Sequence, residues 1–521
     1  MVANRRSTGD LRLRRWHRPL TALALALALA ACDGGSSADP TPTPAPGTTA
    51  AFTSGVASGD VRPIGAVLWT RAEGGDRLAI EVATDEAFSS IVQTLHAETS
   101  AARDYTVKAN VAGLTPDTRY YYRFRAGGAV SPTGTFVTAP QPNAAKKIRF
   151  VFAGDSDGSR REDGSPAFNE FEVLDAAAAE DPAFFMYFGD TIYGDRAPAA
   201  TSVDAYRAKY RQNRGYRALA DLLAATSMIT TWDDHEVTND FDGTTVDRAL
   251  LRAGRQAFRE YMPVDDSRGD EALYNSFRWG ADIDIIVLDE RSYRSGSVED
   301  ACKIDGQDDL LPSAGAPETP PQLRGFRGFI GLPPDAASGC IEAIRDPART
   351  LLGEEQKAYL FDRLLHADAT WKIVVNEVPI QPLLVLPYDR WEGYAAERRE
   401  VLQFLRDNQI KNVVFLTTDF HANIFGPVRM DPFADAEPLA YEAVVGPIAV
   451  ETLEQDIVGV AGEAGAGVLG GFLTGVVGVD CAELDAYAYG LVEVDPEAGT
   501  LTVTAKDASG RELCKKTLKA A

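Results

Sequence analysis

Short apolar runs separated by turn residues fill the chain from about residue 52 to 140. Ala66–Thr70 and Leu78–Val82 are two such runs, and Gly and Asp residues lie between them. No long helical period interrupts the spacing, which is typical of a β-sandwich. The segment Leu114–Arg123 has the Leu-x-Pro and Tyr pattern of a tyrosine corner, a feature that pins the crossing between two sheets. We therefore predict a β-sandwich over residues 52–140.

A different pattern begins at Lys146, where short apolar runs alternate with longer segments of helical period. This alternation predicts βαβ units and hence an α/β domain, which we place at residues 146–506. Gly353–Ala367 is one predicted amphipathic helix, with Glu354 and Glu355 at its positive end. The strands predicted from the apolar runs are Ile148–Phe152, Phe184–Phe188, Ser227–Thr231, Asp284–Leu288, Lys372–Val375 and Asn412–Leu416.

The last part of the chain gives three further predictions. The apolar run Ile457–Val479 contains 8 glycines and Glu463, which favours a loop or flap over a membrane-spanning helix. Residues 489–504 predict a β-hairpin that closes one edge of the sheet. We assign residues 507–521 to a C-terminal tail.

The N-terminus has the pattern of an export signal. Six arginines precede the apolar run Leu20–Ala31, which as a helix spans about 18 Å, too short for a hydrocarbon core of roughly 30 Å. The run ends in Leu29-Ala30-Ala31-Cys32, which resembles a bacterial lipobox. We predict a lipoprotein signal peptide over residues 1–32 with lipidation of Cys32, and a flexible linker over 33–51. The alternative to lipidation is ordinary cleavage of the signal peptide nearby, with Cys32 present by chance. Arg14-Arg15 also leaves open whether export uses the general secretion route or the twin-arginine route.

The charge balance limits the classes of partner. The chain of 521 residues carries 76 acidic and 52 basic side chains, a net charge of −24, so we expect no nucleic-acid-binding function. Contact with a membrane is expected only through the lipid anchor. The sequence does not indicate an oligomeric state.

Cysteine usage agrees with export. Four cysteines follow Cys32, and none of them lies in a Cys-x-x-Cys pair, which weakens a zinc-ribbon interpretation. An even number in an exported chain favours two disulfides. Of the three connectivities, the simplest pairs Cys302 with Cys340 and Cys481 with Cys514.

Polar side chains follow five of the predicted strands. Ligands of open α/β sheets gather beyond the carboxyl ends of strands, so these segments are expected to converge on one crevice. Closely packed carboxylates repel one another unless cations neutralise them. A lone Asp after a strand is most often a helix cap, but five polar strand ends together predict a metal site. The segments are Asp155 to Asp157, Asp190 to Tyr193, Asp233 to Asp240, Asn376-Glu377 and Asp419 to His421.

With these motifs the chain resembles the PhoD-type alkaline phosphatases of the metallophosphoesterase superfamily. The resemblance extends over about residues 52 to 506. It implies an α/β/β/α metallophosphoesterase-like sandwich preceded by a fibronectin-III-like β-sandwich. The motifs that carry it are Gly55-Val-Ala-Ser-Gly-Asp60, Val67-Leu-Trp-Thr-Arg71, Gly189-Asp190-x-x-Tyr193, Trp232-Asp-Asp-His-Glu236 with Asn239-Asp240, Leu288-Asp289-x-Arg291-Ser-Tyr-Arg294, Leu352-Gly-Glu-x-Gln356 and Asp419-x-His421.

The resemblance implies roles for single residues. Asp190 would bridge two metal ions, Tyr193 and His421 would bind the iron-like ion, and Asp234 and Asp419 the second. Asn239 would lie at the metal–phosphate site, and His235 would contact the phosphate or protonate the leaving alkoxide.

The first strand end departs from the family. Asp155 stands where the family usually has a Cys ligand, and Asp157 follows two residues later. We predict that both residues are metal ligands and that Asp155 also has a catalytic role. The family expectation is Fe³⁺ with Ca²⁺, but the harder carboxylate leaves Zn²⁺ or Mn²⁺ open.

Several residues have a looser assignment. Asn376 falls near another superfamily ligand position. Arg160, Arg161, Arg291 and Arg294 are candidates for binding a second phosphate or the ester group. The alternative for Arg291 is a buried structural pair with Asp289.

The predicted function is that of a metal-dependent phosphohydrolase of the bacterial envelope or periplasm, anchored by lipid at Cys32. Phosphomonoesters and phosphodiesters are both expected substrates, cleaved by attack of a metal-bound hydroxide while His235 assists the leaving group. The alternatives are a catalytically weak or dead fold that binds an envelope ligand, and a redox protein built on the iron site. The physiological substrate is left open.

Overall fold

The structure is a computed structural model that describes residues 52–74, 77–266, 272–302, 338–384, 388–433 and 435–521. Within these ranges the chain forms three β-sheets and nine α-helices, numbered below in chain order. The predictions for the signal peptide, the linker and Cys32 lie outside the described residues.

The largest sheet has nine strands and includes both ends of the described chain. Its central strands run parallel, and one of them, Phe184–Phe188, is apolar and buried throughout, as expected where both faces of a strand are covered. In spatial order the strands are β21 (Glu512–Lys519), β20 (Thr500–Lys506), β19 (Tyr489–Asp495), β9 (Ile148–Ala153), β10 (Phe184–Phe188), β11 (Ser227–Thr231), β1 (Val56–Arg62), β2 (Gly65–Arg71) and β5 (Thr106–Ala112).

The second sheet has seven strands, and four adjacent ones are parallel. All six strands predicted from apolar runs are present, three in this sheet and three in the nine-stranded sheet, with ends that differ by one residue at most. In spatial order this sheet contains β12 (Asn275–Trp279), β13 (Ile283–Val287), β14 (Trp371–Asn376), β15 (Val413–Thr417), β17 (Ala440–Val444), β16 (Asn423–Val428) and β18 (Cys481–Glu483).

The third sheet has five strands and forms one layer of the N-terminal sandwich. It packs on the end of the nine-stranded sheet, and Leu68, Ile80 and Phe124 share one core. The hydroxyl of Tyr120 accepts a hydrogen bond of 2.9 Å from the backbone N–H of Thr115, which confirms the predicted tyrosine corner. The strands are β3 (Arg77–Ala83), β4 (Ile91–Glu98), β6 (Arg119–Ala126), β7 (Ala129–Val130) and β8 (Gly134–Val137).

The sheets do not divide at the predicted domain boundary. β1 pairs in parallel with β11, so the strands β1, β2 and β5 of the 52–140 segment continue the sheet of the 146–506 segment. The predicted C-terminal tail also extends this sheet, because β21 pairs with β20 along its length. The pairing of β1 with β11 joins distant parts of the chain, and a local apolar pattern does not contain it.

The helices cover the outer faces of the two large sheets. α1 to α4 pack on the nine-stranded sheet, α7 and α8 pack on the seven-stranded sheet, and the sheets face each other across a shared core. This arrangement is the predicted α/β/β/α sandwich. The helices are α1 (Glu172–Ala179), α2 (Val203–Arg214), α3 (Arg217–Ala225), α4 (Arg248–Tyr261), α5 (Glu299–Cys302), α6 (Ser338–Ile344), α7 (Gly353–His366), α8 (Ala395–Asp407) and α9 (Leu453–Phe472).

The glycine-rich segment predicted as a loop or flap is instead helix α9. It begins with a capping box between Thr452 and Gln455, bends at Gly462 and continues into a π-helical turn over Leu473–Val477. Buried Leu469 and Leu473 lie one helical turn apart, so an apolar stripe is present among the glycines. Among the described helices, none combines the length and apolarity that a membrane span requires.

Both predicted disulfides are present. Cys302–Cys340 joins α5 to α6, and Cys481–Cys514 joins β18 of the seven-stranded sheet to β21 of the nine-stranded sheet. The second disulfide therefore connects the two central sheets.

Candidate metal centre

The carboxyl ends of β9, β10, β11 and β15 meet at one edge of the sheet sandwich. The hydroxyl of Thr418 donates a hydrogen bond of 3.2 Å to the carbonyl of Phe188, which links the ends of β15 and β10. A Cβ atom at Gly154 would lie 2.3 Å from the same carbonyl, so the close approach of the strand ends requires glycine there. The two sheets thus bring their polar strand ends together, as the sequence predicts.

Four site residues leave their strands in the left-handed backbone region. The φ angles are 58° at Asp155, 47° at Asp190, 62° at Asp419 and 50° at His421. Asp and His tolerate this region better than most residues, at a cost of order 1 kcal/mol each. The abrupt turn that follows each strand carries these residues to the sheet edge.

Two groups of potential metal ligands share Asp190. Asp155, Asp190 and His421 form the first group, and Asp190, Asp234 and His235 form the second. Within each group one ligand atom of every residue lies within 4.8 Å of the others. A carboxylate that belongs to both groups is placed as a bridging ligand would be.

The residues present fit metal ions. The Oδ2 atom of Asp155 is buried and accepts no hydrogen bond from any residue that the structure describes, and a Cβ at Gly446 would lie only 2.5 Å from it. Burial, followed by the charge of Asp233, raises the pKa of Asp155 well above its usual value. Burial, followed by the charge of Asp234, does the same to Asp190. Carboxylates in this state require a cation to remain ionised at neutral pH.

Tyr193 lies beside His421, a member of the first ligand group. The Tyr193 hydroxyl lies 3.1 Å from Nε2 of His421, and its ring stacks on His235 with centroids 4.2 Å apart. Burial, followed by the charge of Asp190, raises the pKa of Tyr193 well above its usual value. Burial, and next the proximity of His235, lower the pKa of His421 to about 4, so its imidazole is neutral at neutral pH. A neutral imidazole is the form that binds metals.

His235 is held by an acid that the sequence reasoning missed. Its Nδ1 atom lies 2.7 Å from Oδ1 of Asp195, and Oδ2 of Asp195 accepts a hydrogen bond of 2.7 Å from the backbone N–H of Asn239. Burial alone would lower the pKa of His235, but the nearby charges of Asp234 and Asp195 outweigh it and raise the pKa to about 9. The signal available in the sequence was an Asp five positions after Asp190 in the same strand-end loop.

Arg291 is wholly buried at the centre of a second cluster of carboxylates. Its guanidinium contacts Asp233, lies 2.8 Å from Asp389 and 3.3 Å from Asp419. The alternative of a buried pair between the Arg291 guanidinium and Asp289 is wrong. The Asp289 carboxylate instead accepts hydrogen bonds from backbone N–H groups and from Trp232. With 0% of its side chain exposed, Arg291 has no surface with which to contact a substrate.

Arg294 is part of the same cluster. It lies 2.6 Å from Asp389 and donates to the carbonyl of Asp240 at 2.7 Å. Burial alone would raise the pKa of Asp389, but Arg291 and Arg294 outweigh it and lower the pKa. Asp389 could not be identified from the sequence, because this residue belongs to an irregular segment that follows no strand end.

Three predicted ligands lie outside the two ligand groups. Asp419 is adjacent to them, since its backbone N–H donates to Asp155 at 3.1 Å, but its carboxylate faces Arg291. Asp157 accepts from the backbone N–H of Ser159 at 2.8 Å, and its Oδ2 lies 3.7 Å from Nε of Arg196. Asn239 is exposed, and its side chain donates to Asp240 at 2.8 Å.

Asn376 is not brought into the centre. Its side chain is buried, donates to the carbonyl of Val378 and accepts from Nε1 of Trp391 at 3.0 Å. These contacts engage the amide with the loop after β14 and with Trp391, and its assignment as a ligand stays a prediction.

Arg160 and Arg161 lie on an exposed loop. Arg160 donates to the carbonyl of Gly164 at 3.0 Å and stacks over the ring of Tyr216, and Arg161 donates to the carbonyl of Pro166. Both guanidinium groups are therefore engaged within or beside their own loop.

Comparison with known proteins identifies the class. A family model for the PhoD-like phosphatase matches residues 164–469, and a second for the PhoD-like phosphatase N-terminal domain matches residues 37–140. The first match covers more than half of the chain, so the chain belongs to the PhoD-like phosphatase family, as the motifs predicted. This membership supports the prediction of a hydrolase that acts on ester bonds.

Individual relatives agree with this assignment. Alkaline phosphatase D of Bacillus subtilis (strain 168) is 30% identical over 430 residues, which are 73% of this chain and 66% of the relative, just under two thirds of its length. A solved structure of PhoD superposes with a TM-score of 0.71 at 23% identity, covering 91% of this chain and 94% of the other. The purple acid phosphatase PPD1 of yellow lupin gives 0.53 at 12% identity, covering 90% and 74%. At these identities the two structures establish the fold alone.

Proposed function

We propose that this protein is a metal-dependent phosphohydrolase of the bacterial cell envelope that cleaves phosphomonoesters, phosphodiesters or both. The observation that carries the proposal is that Asp190 belongs to both ligand groups, beside a histidine oriented by its own carboxylate. This combination provides places for two adjacent cations and a proton donor next to them. Family membership supports the same conclusion.

The residues that would hold the metal ions follow from the geometry. Asp155, Tyr193 and His421 would bind one ion and Asp234 the other, with Asp190 between them. When bound, the two ions would supply a nucleophilic water at neutral pH and compensate negative charge on the phosphoryl group. Asp419 supports this arrangement from the adjacent position through its backbone hydrogen bond to Asp155.

His235 is placed to donate a proton to the leaving alkoxide. Asp195 occupies the Nδ1 side of its ring, so Nε2 remains for the substrate, and this atom lies 3.9 Å from Oδ2 of Asp190. With a pKa of about 9 the ring is protonated at neutral pH. A protonated histidine beside the reacting group is suited to general acid catalysis.

The nature of the ions is the next part of the proposal. A tyrosine ligand favours Fe³⁺, and the family expectation adds Ca²⁺, while Asp155 in place of a thiolate keeps Zn²⁺ and Mn²⁺ as alternatives. If Fe³⁺ is bound, Tyr193 gives a visible charge-transfer band that is lost in Tyr193→Phe. A colourless protein with stoichiometric iron would exclude Tyr193 as a ligand of that iron.

The envelope location and the lipid anchor rest on residues 1–32, which have the pattern of a lipoprotein signal. Labelling of cells with a radioactive fatty acid, followed by purification, is expected to label the protein, and Cys32→Ser is expected to abolish the label. A wild-type protein without label would indicate ordinary signal cleavage.

Turnover of two chromogenic esters tests the catalytic proposal. We expect metal-dependent hydrolysis of p-nitrophenyl phosphate, bis-p-nitrophenyl phosphate or both, and loss of metal and activity in Asp190→Asn. Asp175→Asn is the matched control, because Asp175 lies on α1 in an exposed ion pair with Arg217. A wild-type protein with stoichiometric metal and no turnover of either ester would favour the alternative of an envelope ligand-binding protein.

A further inference from the structure

Arg196 is a cation beside the candidate metal centre whose guanidinium reaches solvent. Its Cζ atom lies 5.6 Å from the ring centroid of Tyr193, and the same ring stacks on His235 with centroids 4.2 Å apart. The side chain is 40% exposed, whereas Arg291 and Arg294 are buried among carboxylates. Arg196 can therefore contact a bound molecule from the rim of the site.

The backbone of Arg196 is fixed, and its side chain is paired with carboxylates at the rim of the site. Nζ of Lys209 donates a hydrogen bond of 2.7 Å to its carbonyl, and the preceding residue, Asp195, holds His235 and the backbone of Asn239. The guanidinium donates to both carboxylate oxygens of Glu451, which is itself 36% exposed, and its Nε lies 3.7 Å from Oδ2 of Asp157. Both partners of this pair are more than a third exposed, so solvent screens the pair, and a phosphate that binds the same two guanidinium nitrogens can displace Glu451.

We infer that Arg196 binds a second anionic group of the substrate at the rim of the site, beside Tyr193. The ligand class is an ester that carries a further phosphate on the same small molecule. Arg is suited to this task because its planar fork binds two phosphate oxygens at once. This inference deepens the proposed function and rests on it for the identity of the reacting phosphate.

The charge around Arg196 supports selection of such substrates. Glu451 and the buried Asp157 hold the guanidinium at the rim when no substrate is bound. In the absence of the Arg196 guanidinium, the same two carboxylates would repel an anionic group at this position. Arg196 therefore decides whether a second negative charge is accepted or excluded at this rim.

The test compares two substrates that differ only in that charge, 1,3-propanediol bisphosphate and 3-hydroxypropyl phosphate. We expect the holoenzyme to prefer the bisphosphate in kcat/KM. Arg196→Ala is expected to lower kcat/KM for the bisphosphate by about 10- to 100-fold, the range of one charge-assisted contact, with less than about a threefold change for the monophosphate. Arg196→Lys is expected to lie between, and Glu451→Gln to raise the value for the bisphosphate.

Arg217→Ala is the matched control, since Arg217 is 70% exposed on α3 and its guanidinium pairs with Asp175 and Asp221. An unchanged ratio between the two substrates in Arg196→Ala, or an equal loss for both, overturns the inference. Calorimetric binding of the bisphosphate to the metal-loaded protein separates this outcome from failure of the proposed function. Binding that depends on Arg196 without turnover would contradict the hydrolase and keep the anion site.

Discussion

Nδ1 of His235 lies 2.7 Å from Oδ1 of Asp195, and this contact sets both the orientation and the charge of the imidazole. Asp195 approaches the ring from the side away from Asp190, so metal ions held by Asp190 would leave the pair intact. The pair accordingly acts as a unit in which the acid fixes the proton donor.

The first prediction concerns the alkaline limit of activity. The pKa of His235 is raised to about 9, so the protonated ring is present below that pH and is lost as the pH rises through it. Asp195→Asn removes a charge-assisted hydrogen bond and should lower this pKa by about 1 to 2 units. The alkaline limb of kcat/KM for an alkyl phosphate is expected to move down by the same amount, and activity at neutral pH should fall by about twofold at most through loss of the proton, because at least about half of the rings remain protonated there.

A substrate with a good leaving group provides the control for this prediction. p-Nitrophenolate departs without a proton, so Asp195→Asn should affect p-nitrophenyl phosphate much less than the alkyl ester. An alkaline limb that stays in place with both substrates would show that His235 is not the proton donor.

The second prediction concerns Gly446, which lies against the buried Oδ2 of Asp155. Gly446→Ala would place a Cβ atom 2.5 Å from this oxygen and displace the carboxylate. We expect metal affinity to fall by about 10- to 100-fold, the range for a change beside a metal ligand. Elemental analysis of the purified variant and titration of its metal-free form measure the loss.

Backbone strain is controlled separately. Gly478 also has a positive φ, +81°, but an added Cβ there would meet no atom within 4 Å. Gly478→Ala should therefore reproduce the strain without the loss of metal. Equal metal affinity in the two variants would mean that Asp155 does not bind the ion.

The sequence was sufficient to predict the strands that carry the site. β10 is a fully buried apolar run, and β9 is apolar and buried except at Arg149, so both stand out in the sequence up to the polar residues that follow them. Parallel strands place those ends at one edge, which is why Asp155, Asp190 and His421 could be grouped without coordinates. Each apolar strand and the polar side chains that follow it lie within a few residues of one another in the sequence, so a local pattern was enough to find them.

The residues that were missed depend on contacts between distant segments. Asp389 meets Arg291 across 98 positions of sequence, and Gly446 meets Asp155 across nearly three hundred. The same limitation applies to the addition of β1 to the catalytic sheet, since its pairing with β11 has no local signature. Helix α9 was missed for a different reason, because its glycines conceal the apolar stripe that includes Leu469 and Leu473.

The third prediction concerns Arg291 as a cation that holds the carboxylate cluster together. Arg291→Met would leave Asp233 buried without its guanidinium partner and Asp389 with Arg294 alone, and breaking a buried pair from one side costs about 3 to 5 kcal/mol. Denaturant unfolding followed by circular dichroism measures the change. Arg291→Lys keeps the charge but loses the fork, so it should lose less stability. A loss below about 1 kcal/mol in Arg291→Met would contradict a structural role for the cluster.

The fourth prediction concerns the disulfide Cys481–Cys514, which joins an edge strand of each large sheet. The two cysteines are 33 positions apart, so the disulfide restricts the unfolded chain by an amount equivalent to about 3 to 4 kcal/mol in the chain-entropy description. The double variant Cys481→Ala, Cys514→Ala should lose this much free energy of unfolding. Guanidinium unfolding of wild type and variant, each with and without a reductant, provides the measurement. Because the reductant also opens Cys302–Cys340, any further loss in the variant reports that second disulfide alone. If the variant and the oxidised wild type unfolded at the same denaturant concentration, the sheets would be held together by their shared apolar core without help from the covalent bond.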